Sequence, residues 1–317
     1  MAVTLAEAKK NVQDALQLGV IDEFRKSNYL LDNLPFADVV SPTGGGATLT
    51  YGYTRITTQP TAAFRAINVP YNSQEVAKTR YTVDLKIFGG SFDIDRVIAG
   101  MGGIVSEVTL QMQQKIKAAQ ALFNDTVING DSAVDVNAFD GLEKALTGSS
   151  TEYVPAANIV LDSSTNLDAN YKAFLDVLDE FLMGLDGQPS AILGNLKLIA
   201  KIRAVARRAG MYMTTKNDFG QQVEMYGNIP IIDLGAKPGS TDPVSGIDAG
   251  GLTSLYAVRM GLDGFHGISM AGQPPVRAWL PDYTTSGPVK TGEVEMVAAI
   301  ALKATKAAGV LRKIKVQ

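Results

Sequence analysis

The side chains that could do chemistry are few in this sequence. The chain has one histidine, His266, in the segment GFHGIS, and no cysteine. The common zinc sites need several histidine or cysteine ligands, so this composition excludes them, together with disulfides and thiolate nucleophiles. A histidine with no second ligand nearby in the sequence is typical of a structural residue, and we predict that role for His266.

Asp93 and Asp95 in the segment FDIDR form a second candidate. Alternate residues of a strand point to the same face, so the two carboxylates could be presented together to a metal or a substrate. Salt bridging and helix capping explain the same residues more simply, and we favour that interpretation. A soluble α/β hydrolase or metal-dependent enzyme that uses Asp93, Asp95 or His266 stays open as a distant alternative.

The remaining motifs do not indicate catalysis. No Gly-x-Ser-x-Gly nucleophile motif is present, and the glycine-rich segments GGG at 44–46 and MGG at 101–103 lack the Gly-x-x-x-x-Gly-Lys pattern that binds phosphate. Five basic residues lie in the helix predicted at 196–209, without interleaved aromatic residues: Lys197, Lys201, Arg203, Arg207 and Arg208. This pattern favours a solvated or subunit-facing helix over a nucleic-acid site. We therefore predict no catalytic residue, no cofactor and no metal.

Composition narrows the class of protein further. The 317 residues suggest about two domains, and 46% apolar residues are ordinary for a folded chain. A net charge of -3 gives no basic footprint for sequence-independent nucleic-acid binding. The first residues, MAVTLAEAKKNVQDAL, lack the apolar core of a signal peptide, and no stretch reaches membrane-spanning length. We expect a cytosolic protein without a membrane partner.

The strongest element signal is a long amphipathic helix. Apolar residues recur at steps of three or four: Ile104, Val108, Met112, Ile116, Ala119, Phe123 and Val127. This period predicts a helix over 104–128, and with its flanking residues it would be about 40 Å long. Asn129 and Gly130 tolerate the left-handed conformation and predict its end. The short segment AFDGLEKAL follows.

Two alternating segments, 48–58 and 80–87, predict the strands of a hairpin. About two dozen residues separate them, including Pro60 and Pro70, so the connection is far longer than a hairpin turn requires. A two-stranded ribbon with two open edges and no core behind it is marginal in water. We therefore predict that it needs a partner, most economically a neighbouring copy of this chain.

The rest of the chain indicates a mixed α and β fold. Thr4 and Glu7 form a capping box ahead of a short helix, and SNYLLDNLPFADVV breaks at Pro35 into an extended arm. A helix, strand and helix are predicted at 171–185, 190–193 and 196–209, and strands at 223–234 and 252–262. Between the last two, AKPGSTDPVSGIDAGG predicts an exposed, mobile loop. The tail at 294–316 is interpreted as strands that return to the central layer.

The order of these pieces resembles the major capsid protein of tailed bacteriophages, with the Hong Kong 97-type fold that encapsulin nanocompartments share. The resemblance covers nearly the whole chain. It rests on SNYLLDNLPF before a long hairpin, on FDIDR leading into the long helix that ends in FNDTVINGD, on FDGL after it, and on GQQVEMYGNIPII followed by SLYAVRMG. It implies an α+β fold, with an N-terminal arm at 1–44, an extended E-loop hairpin at 45–90, a peripheral domain with a spine helix at 91–166, an axial domain at 167–281 and C-terminal strands returning to the peripheral domain at 282–317.

The resemblance also implies a function. Subunits would form hexamers and pentamers of an icosahedral phage head that is assembled in the host bacterial cytoplasm and encloses double-stranded DNA without sequence-specific binding. An encapsulin-like compartment shell is the alternative. The hairpin would lie across the adjacent subunit, and its expected interface residues are Tyr51, Tyr53, Arg55, Phe64, Arg65, Lys78 and Arg80. For its aromatic residues, packing within their own subunit is the other possibility.

Two departures from other members of this fold affect the expected partners. The arm begins almost at Met1, with no long scaffolding region, so scaffolding would be a separate protein, which we expect, or would be dispensable. A portal protein and a decoration protein that some shells carry are further expected partners. Other members join subunits by a lysine–asparagine isopeptide bond. Lys78 lies near the predicted hairpin, but the sequence alone does not favour such a cross-link.

Overall fold

The computed structural model describes residues 29–40, 48–101, 106–210, 213–216 and 222–317. The helices are α1 Tyr29–Asn33, α2 Arg96–Ala99, α3 Glu107–Asn129, α4 Leu142–Leu146, α5 Ser164–Met183 and α6 Leu196–Ala209, with a 3-10 turn at Thr305–Ala307. The strands are β1 Phe36–Val40, β2 Thr50–Thr58, β3 Ala77–Asp84, β4 Lys86–Asp95, β5 Glu152–Tyr153, β6 Ile159–Val160, β7 Ala191–Gly194, β8 Met213–Lys216, β9 Gln222–Tyr226, β10 Ile229–Asp233, β11 Leu252–Val258, β12 Phe265–Met270, β13 Val276–Trp279, β14 Val289–Leu302 and β15 Ala308–Lys315. The capping-box helix predicted around Thr4 and Glu7 lies outside the described residues.

One sheet of five strands is built around the long strand β14. Strand β4 pairs antiparallel with the first part of β14, while β12 and β13 pair along its other side and β1 adds in parallel to β12. Helix α3 packs on this sheet, and the rings of Phe88 from β4, Phe36 from β1 and Phe139 from the segment after α3 surround Phe123 on the helix. Phe123 is fully buried. The apolar stripe predicted for the long helix therefore faces a sheet.

A second sheet of eight strands carries α5 and α6. Its order is β5-β15-β11-β7-β10-β9-β8, and β6 also pairs with β15. Leu178 from α5, Val205 from α6 and Ile192 from β7 belong to the core between the helices and the sheet. Helix α6 matches its predicted bounds, because Asn195 caps its first turn and Gly210 ends it at a left-handed φ of 69°.

The two strands of the predicted tail belong to different sheets. Strand β14 is central to the five-stranded sheet, and after the 3-10 turn β15 enters the eight-stranded sheet beside β11. The tail is thus strand, as predicted, and its two strands do not share one layer. The chain segment from residue 303 to residue 307 joins the two sheets.

The long helix ends in a way that the sequence did not predict. Gly130 has φ -59° and ψ 133°, so it is not left-handed, and that prediction is wrong. Glycine is needed there for space, since a Cβ would lie 2.2 Å from the carbonyl oxygen of Phe139 and 2.5 Å from that of Thr126. Gly141 donates a 2.8 Å hydrogen bond to Gly130 and is equally crowded. The FDGL segment thus packs directly on the helix end.

Three other boundaries differ from the predictions. The segment 80–87 is not one strand: Leu85 is buried and donates to the carbonyl of Leu49, which separates hairpin strand β3 from sheet strand β4. Helix α5 begins earlier, at Ser164. The loop predicted as exposed and mobile at residues 236–251 is anchored, because Val244 and Ser245 are buried and Asn195 donates to the carbonyl of Ser245.

Candidate functional site

The hairpin, here residues 48–85, comprises β2, β3 and a connecting tip at residues 59–76. The strands are antiparallel from Thr50 opposite Asp84 to Thr58 opposite Ala77, as the alternation predicted. Thr50 Oγ1 donates a 2.6 Å hydrogen bond to Asp84 Oδ1 at the end nearest the body of the protein. The hairpin is therefore a paired ribbon with one shift of register, between Ile56 and Thr58.

The base of the hairpin is docked on the rest of the chain. Tyr53 Oη donates a 3.0 Å hydrogen bond to the carbonyl oxygen of Leu302, and Arg55 Nε donates a 2.8 Å bond to that of Lys303. Arg55 Nη2 also donates to the Leu302 oxygen. We call Leu302 and Lys303 the docking turn. The prediction that the ribbon has no core behind it is wrong for this base.

Aromatic contacts reinforce the docked base. The guanidinium of Arg55 lies 4.4 Å from the centre of the Tyr81 ring, which stacks on Tyr53 at 5.8 Å. Burial raises the pKa of Tyr53, although the Arg55 charge opposes that effect. Tyr53 therefore stays a neutral hydrogen-bond donor well beyond physiological pH.

The third base residue contacts the single histidine. The ring of Tyr51 meets the ring of His266 edge-on at 6.0 Å, and the Lys303 ammonium lies 5.7 Å from the centre of the Tyr51 ring. His266 is fully buried on β12, and neither ring nitrogen has a hydrogen-bond partner among the described residues. The structural role predicted for His266 agrees with this burial.

The tip differs from the base because its large apolar side chains face solvent. Phe64 is fully exposed, Ile67 is 89% exposed and Tyr71 is 64% exposed. The tip has some internal order: Thr61 N donates a 2.6 Å bond to Gln74 Oε1, which ties its two ends together. A tethered loop that presents several apolar side chains to water marks an interaction surface.

The seven predicted interface residues fall into two groups. Tyr51, Tyr53 and Arg55 contact their own chain at the docking turn and at His266. The four others are exposed: Phe64 and Arg65 in the tip, and Lys78 and Arg80 on β3, where Arg80 is opposite Thr54 at the level of the base. The sequence interpretation missed Ile67 and Tyr71, which large apolar side chains in a proline-bounded loop could have indicated.

The residues of the enzyme alternative do not meet. Asp93 accepts a bond from Thr291 Oγ1 at 2.7 Å, and Asp95 caps α2 by accepting from the Val97 amide at 2.8 Å. In the sheet Asp93 is opposite Thr291, whereas His266 is opposite Ala301, ten positions farther along β14. At about 3.3 Å per residue they lie roughly 30 Å apart. The capping role that we favoured is found at Asp95, whereas Asp93 accepts a threonine hydrogen bond and forms no salt bridge among the described residues.

Within the described ranges, no group of three or more acidic or histidine side chains is placed to hold a metal ion. None of the helices in that part of the chain is long and apolar enough to cross a bilayer.

Comparison with known proteins gives structural matches only. No family model and no curated protein matches the sequence. The fold is similar to the holo-SrpI encapsulin complex from Synechococcus elongatus PCC 7942, at a TM-score of 0.66 and 15% identity over 100% of this chain and 98% of that chain. It is also similar to the capsid of the native GTA particle, at 0.62 and 12% over 96% and 95% of the two chains. The capsid of Myoviridae phage XM1 matches at 0.60 and 10% over 99% of both.

The chain has the Hong Kong 97-type fold. These three matches cover at least 95% of both chains, and the α+β fold class implied by the resemblance is confirmed. The division of this Hong Kong 97-type chain into arm, E-loop, peripheral and axial domains stays a prediction.

Proposed function

We propose that this chain is the major capsid protein of a tailed bacteriophage and that its subunits assemble into the hexamers and pentamers of an icosahedral head around double-stranded DNA. The observation that carries the proposal is the exposed apolar tip on a docked hairpin. The full-length similarity to capsid and encapsulin shells supports it. In this proposal the chain acts by self-association and has no catalytic role.

The contrast between base and tip supports a neighbouring subunit as the partner of the hairpin. Tyr53 and Arg55 fix the base to the docking turn, so the tip is held at a defined place. Phe64 and Ile67 then project from it without cover from the described residues. Covering such side chains removes apolar area from water, which contributes about 1.5–3 kcal/mol per large residue. An identical subunit is always available to provide that cover.

Many such contacts make a durable shell from weak parts. Once a subunit touches several neighbours, each additional contact forms within one assembly and acts at a high effective concentration. The predicted contact residues on the exposed side of the hairpin are Phe64, Arg65, Lys78 and Arg80. The docked residues Tyr51, Tyr53 and Arg55 hold the hairpin in place on its own subunit. A scaffolding protein, a portal protein and a decoration protein remain expected partners, and packaged DNA the expected content.

An encapsulin-like compartment is the second candidate, because the encapsulin complex matches over the full length of both chains. Both candidates need the same tip contacts and differ in what the shell holds. Particles isolated from the organism that makes this chain separate them: a capsid contains double-stranded DNA, whereas a compartment contains a protein cargo.

Electron microscopy of the expressed chain, alone and with any scaffolding protein from the same source, tests the proposal. We expect closed particles. A matched variant replaces tip residues 60–73 with a short glycine-serine linker and keeps the base residues Tyr53 and Arg55. It should fold with the same circular dichroism spectrum and fail to close particles. If that variant forms closed particles as well as the parent, the tip is not the assembly contact; if the parent stays a small soluble species under every condition, the shell function is refuted.

A further inference from the structure

His266 lies directly under the hairpin base. Successive residues of a strand point to opposite faces of a sheet. A Cβ on Gly267 would lie 2.5 Å from the Phe36 ring, which itself contacts Phe123 of α3, so Gly267 faces the helix. His266 therefore faces away from α3, toward Tyr51 of the hairpin.

The imidazole is held there in its neutral form. Neither ring nitrogen has a hydrogen-bond partner among the described residues, and the side chain has no exposed surface. Burial lowers the pKa of His266 below its ordinary value of 6.5, and the positive charge of Lys303 lowers it further. A neutral ring packs well in this place, and a protonated ring needs water or an acceptor.

The groups around the ring do not compensate for a proton: burial and the charge of Lys303 lower the pKa of the imidazole by more than the main chain of Gly264 and the charge of Asp263 raise it. Lys303, from the docking turn, is a second cation, and Arg55 of the hairpin reaches the same turn. Asp263, from the loop before β12, is the carboxylate that acts on His266. It already accepts a 2.7 Å bond from Arg259. The titratable neighbour on β2 is Tyr51, a neutral phenol that meets the imidazole with its ring.

We propose that His266 is an acid-sensitive latch, which keeps the hairpin docked on its own subunit while the imidazole is neutral and releases the hairpin when the imidazole takes up a proton. The hairpin base covers the ring on this face of the sheet, so lifting Tyr51 is the direct way to let water reach the charge. The inference rests on the proposed function in one respect: the hairpin that is released is the contact offered to a neighbour.

The direction of the pH effect follows from proton linkage. In the released state the exposed imidazole has its ordinary pKa, and in the docked state its pKa is lower. The contribution of the neutral ring to docking is complete above about pH 6.5 and is lost as the pH falls toward the lowered pKa of the docked form. Between those two values the ratio of released to docked hairpin rises by up to about tenfold per pH unit.

Hydrogen exchange of the full chain tests this latch. Amide protection in β2 is measured relative to β15 from pH 7.5 to 5.0, after correction for intrinsic exchange rates. We expect the relative protection of β2 to fall by up to about tenfold per pH unit below 6.5. In His266→Phe, which keeps an aromatic ring against Tyr51, it should be independent of pH. In Lys303→Gln, which keeps the backbone oxygen that binds Arg55, the total fall should be smaller than in the parent.

A direct titration provides a readout that needs no variant. His266 is the only histidine of the chain, so exchange at its imidazole C2 position reports its pKa alone. We expect a midpoint below 6.5 that coincides with the loss of β2 protection. A midpoint at or above 6.5, constant β2 protection across the range, or an equal decline in His266→Phe would overturn the latch. Docking is measured within one subunit, so these outcomes are independent of whether particles form.

Discussion

The substitution Phe64→Ala tests the tip contact most directly. Phe64 is fully exposed in the single subunit, so its loss removes no contact with the described part of its own chain. The free energy of unfolding should stay within about 0.5 kcal/mol of the parent. If a neighbour buries the ring, each contact loses about 1.5–3 kcal/mol, the value of a large apolar side chain. At 1.4 kcal/mol per tenfold, this is roughly a 10- to 150-fold weaker contact.

Assembly should amplify this loss, because every subunit in a shell makes the same contact. The assay measures the concentration at which particles appear, by light scattering and by sedimentation, next to urea unfolding of the same samples. We expect the assembly threshold of Phe64→Ala to rise at least about tenfold at unchanged stability. Phe64→Leu, which keeps most of the apolar surface, is the matched control, and its assembly threshold should lie between those of the parent and Phe64→Ala. An unchanged threshold in Phe64→Ala would refute the reasoning.

Three further predictions concern the body of the fold. Gly130→Ala places a Cβ within 2.2 Å of a main-chain oxygen and should lower the free energy of unfolding by about 1–3 kcal/mol or more, whereas Gly246→Ala, which meets nothing within 4 Å, should change it little. Both are measured by urea unfolding, and equal effects would contradict the close approach. Arg312→Gln removes a hydrogen bond to the half-buried Glu152 and should cost about 1–3 kcal/mol. Burial alone raises the pKa of Glu152, but hydrogen bonds from the Gly148 amide and Arg312 lower it overall, so this stability is present above pH 4.5, the ordinary value, and is lost as the pH falls through the lowered pKa. As the pH falls below 4.5, the free energy of unfolding of Arg312→Gln should therefore decrease less than that of the parent. Parallel pH profiles of the two proteins would contradict the Arg312–Glu152 contribution. Asp95→Ala removes the cap of α2 and should cost about 1 kcal/mol while particles still form in electron micrographs; loss of particles at full stability would point to a functional carboxylate.

Local signals in the sequence were sufficient to predict those elements whose ends are set by neighbouring residues in the chain. Helix α6 has a side-chain cap at Asn195 and a left-handed glycine at 210, and both signals can be recognised without the rest of the fold. The hairpin strands were found by alternation for the same reason. Leu85 lies within that alternation, and nothing in its local pattern indicates that its amide donates to the Leu49 carbonyl and ends strand β3. That break depends on a contact between distant parts of the chain.

The site was predictable in the same uneven way. The hairpin and its exposed residue Phe64 follow from composition and loop length. The docking of Tyr53 and Arg55 does not follow from the sequence. Their acceptors are main-chain carbonyl oxygens, which every residue has, so no residue type marks the docking position. Gly130 shows a related limit. Glycine is required both where the backbone is left-handed and where another chain segment packs closely, so the residue type alone does not distinguish the two causes.

The position of the docking turn has a mechanical consequence. Leu302 ends β14 in one sheet, and after five intervening residues β15 begins in the other, so the hairpin is fastened at the link between the two sheets. A force on the tip would reach that link through Tyr53 and Arg55, and it would reach the five-stranded sheet directly, because only the buried Leu85 separates β3 from β4. The base of the hairpin is therefore anchored at two places, so a pull on its outstretched end is divided between a strand of one sheet and the connection to the other.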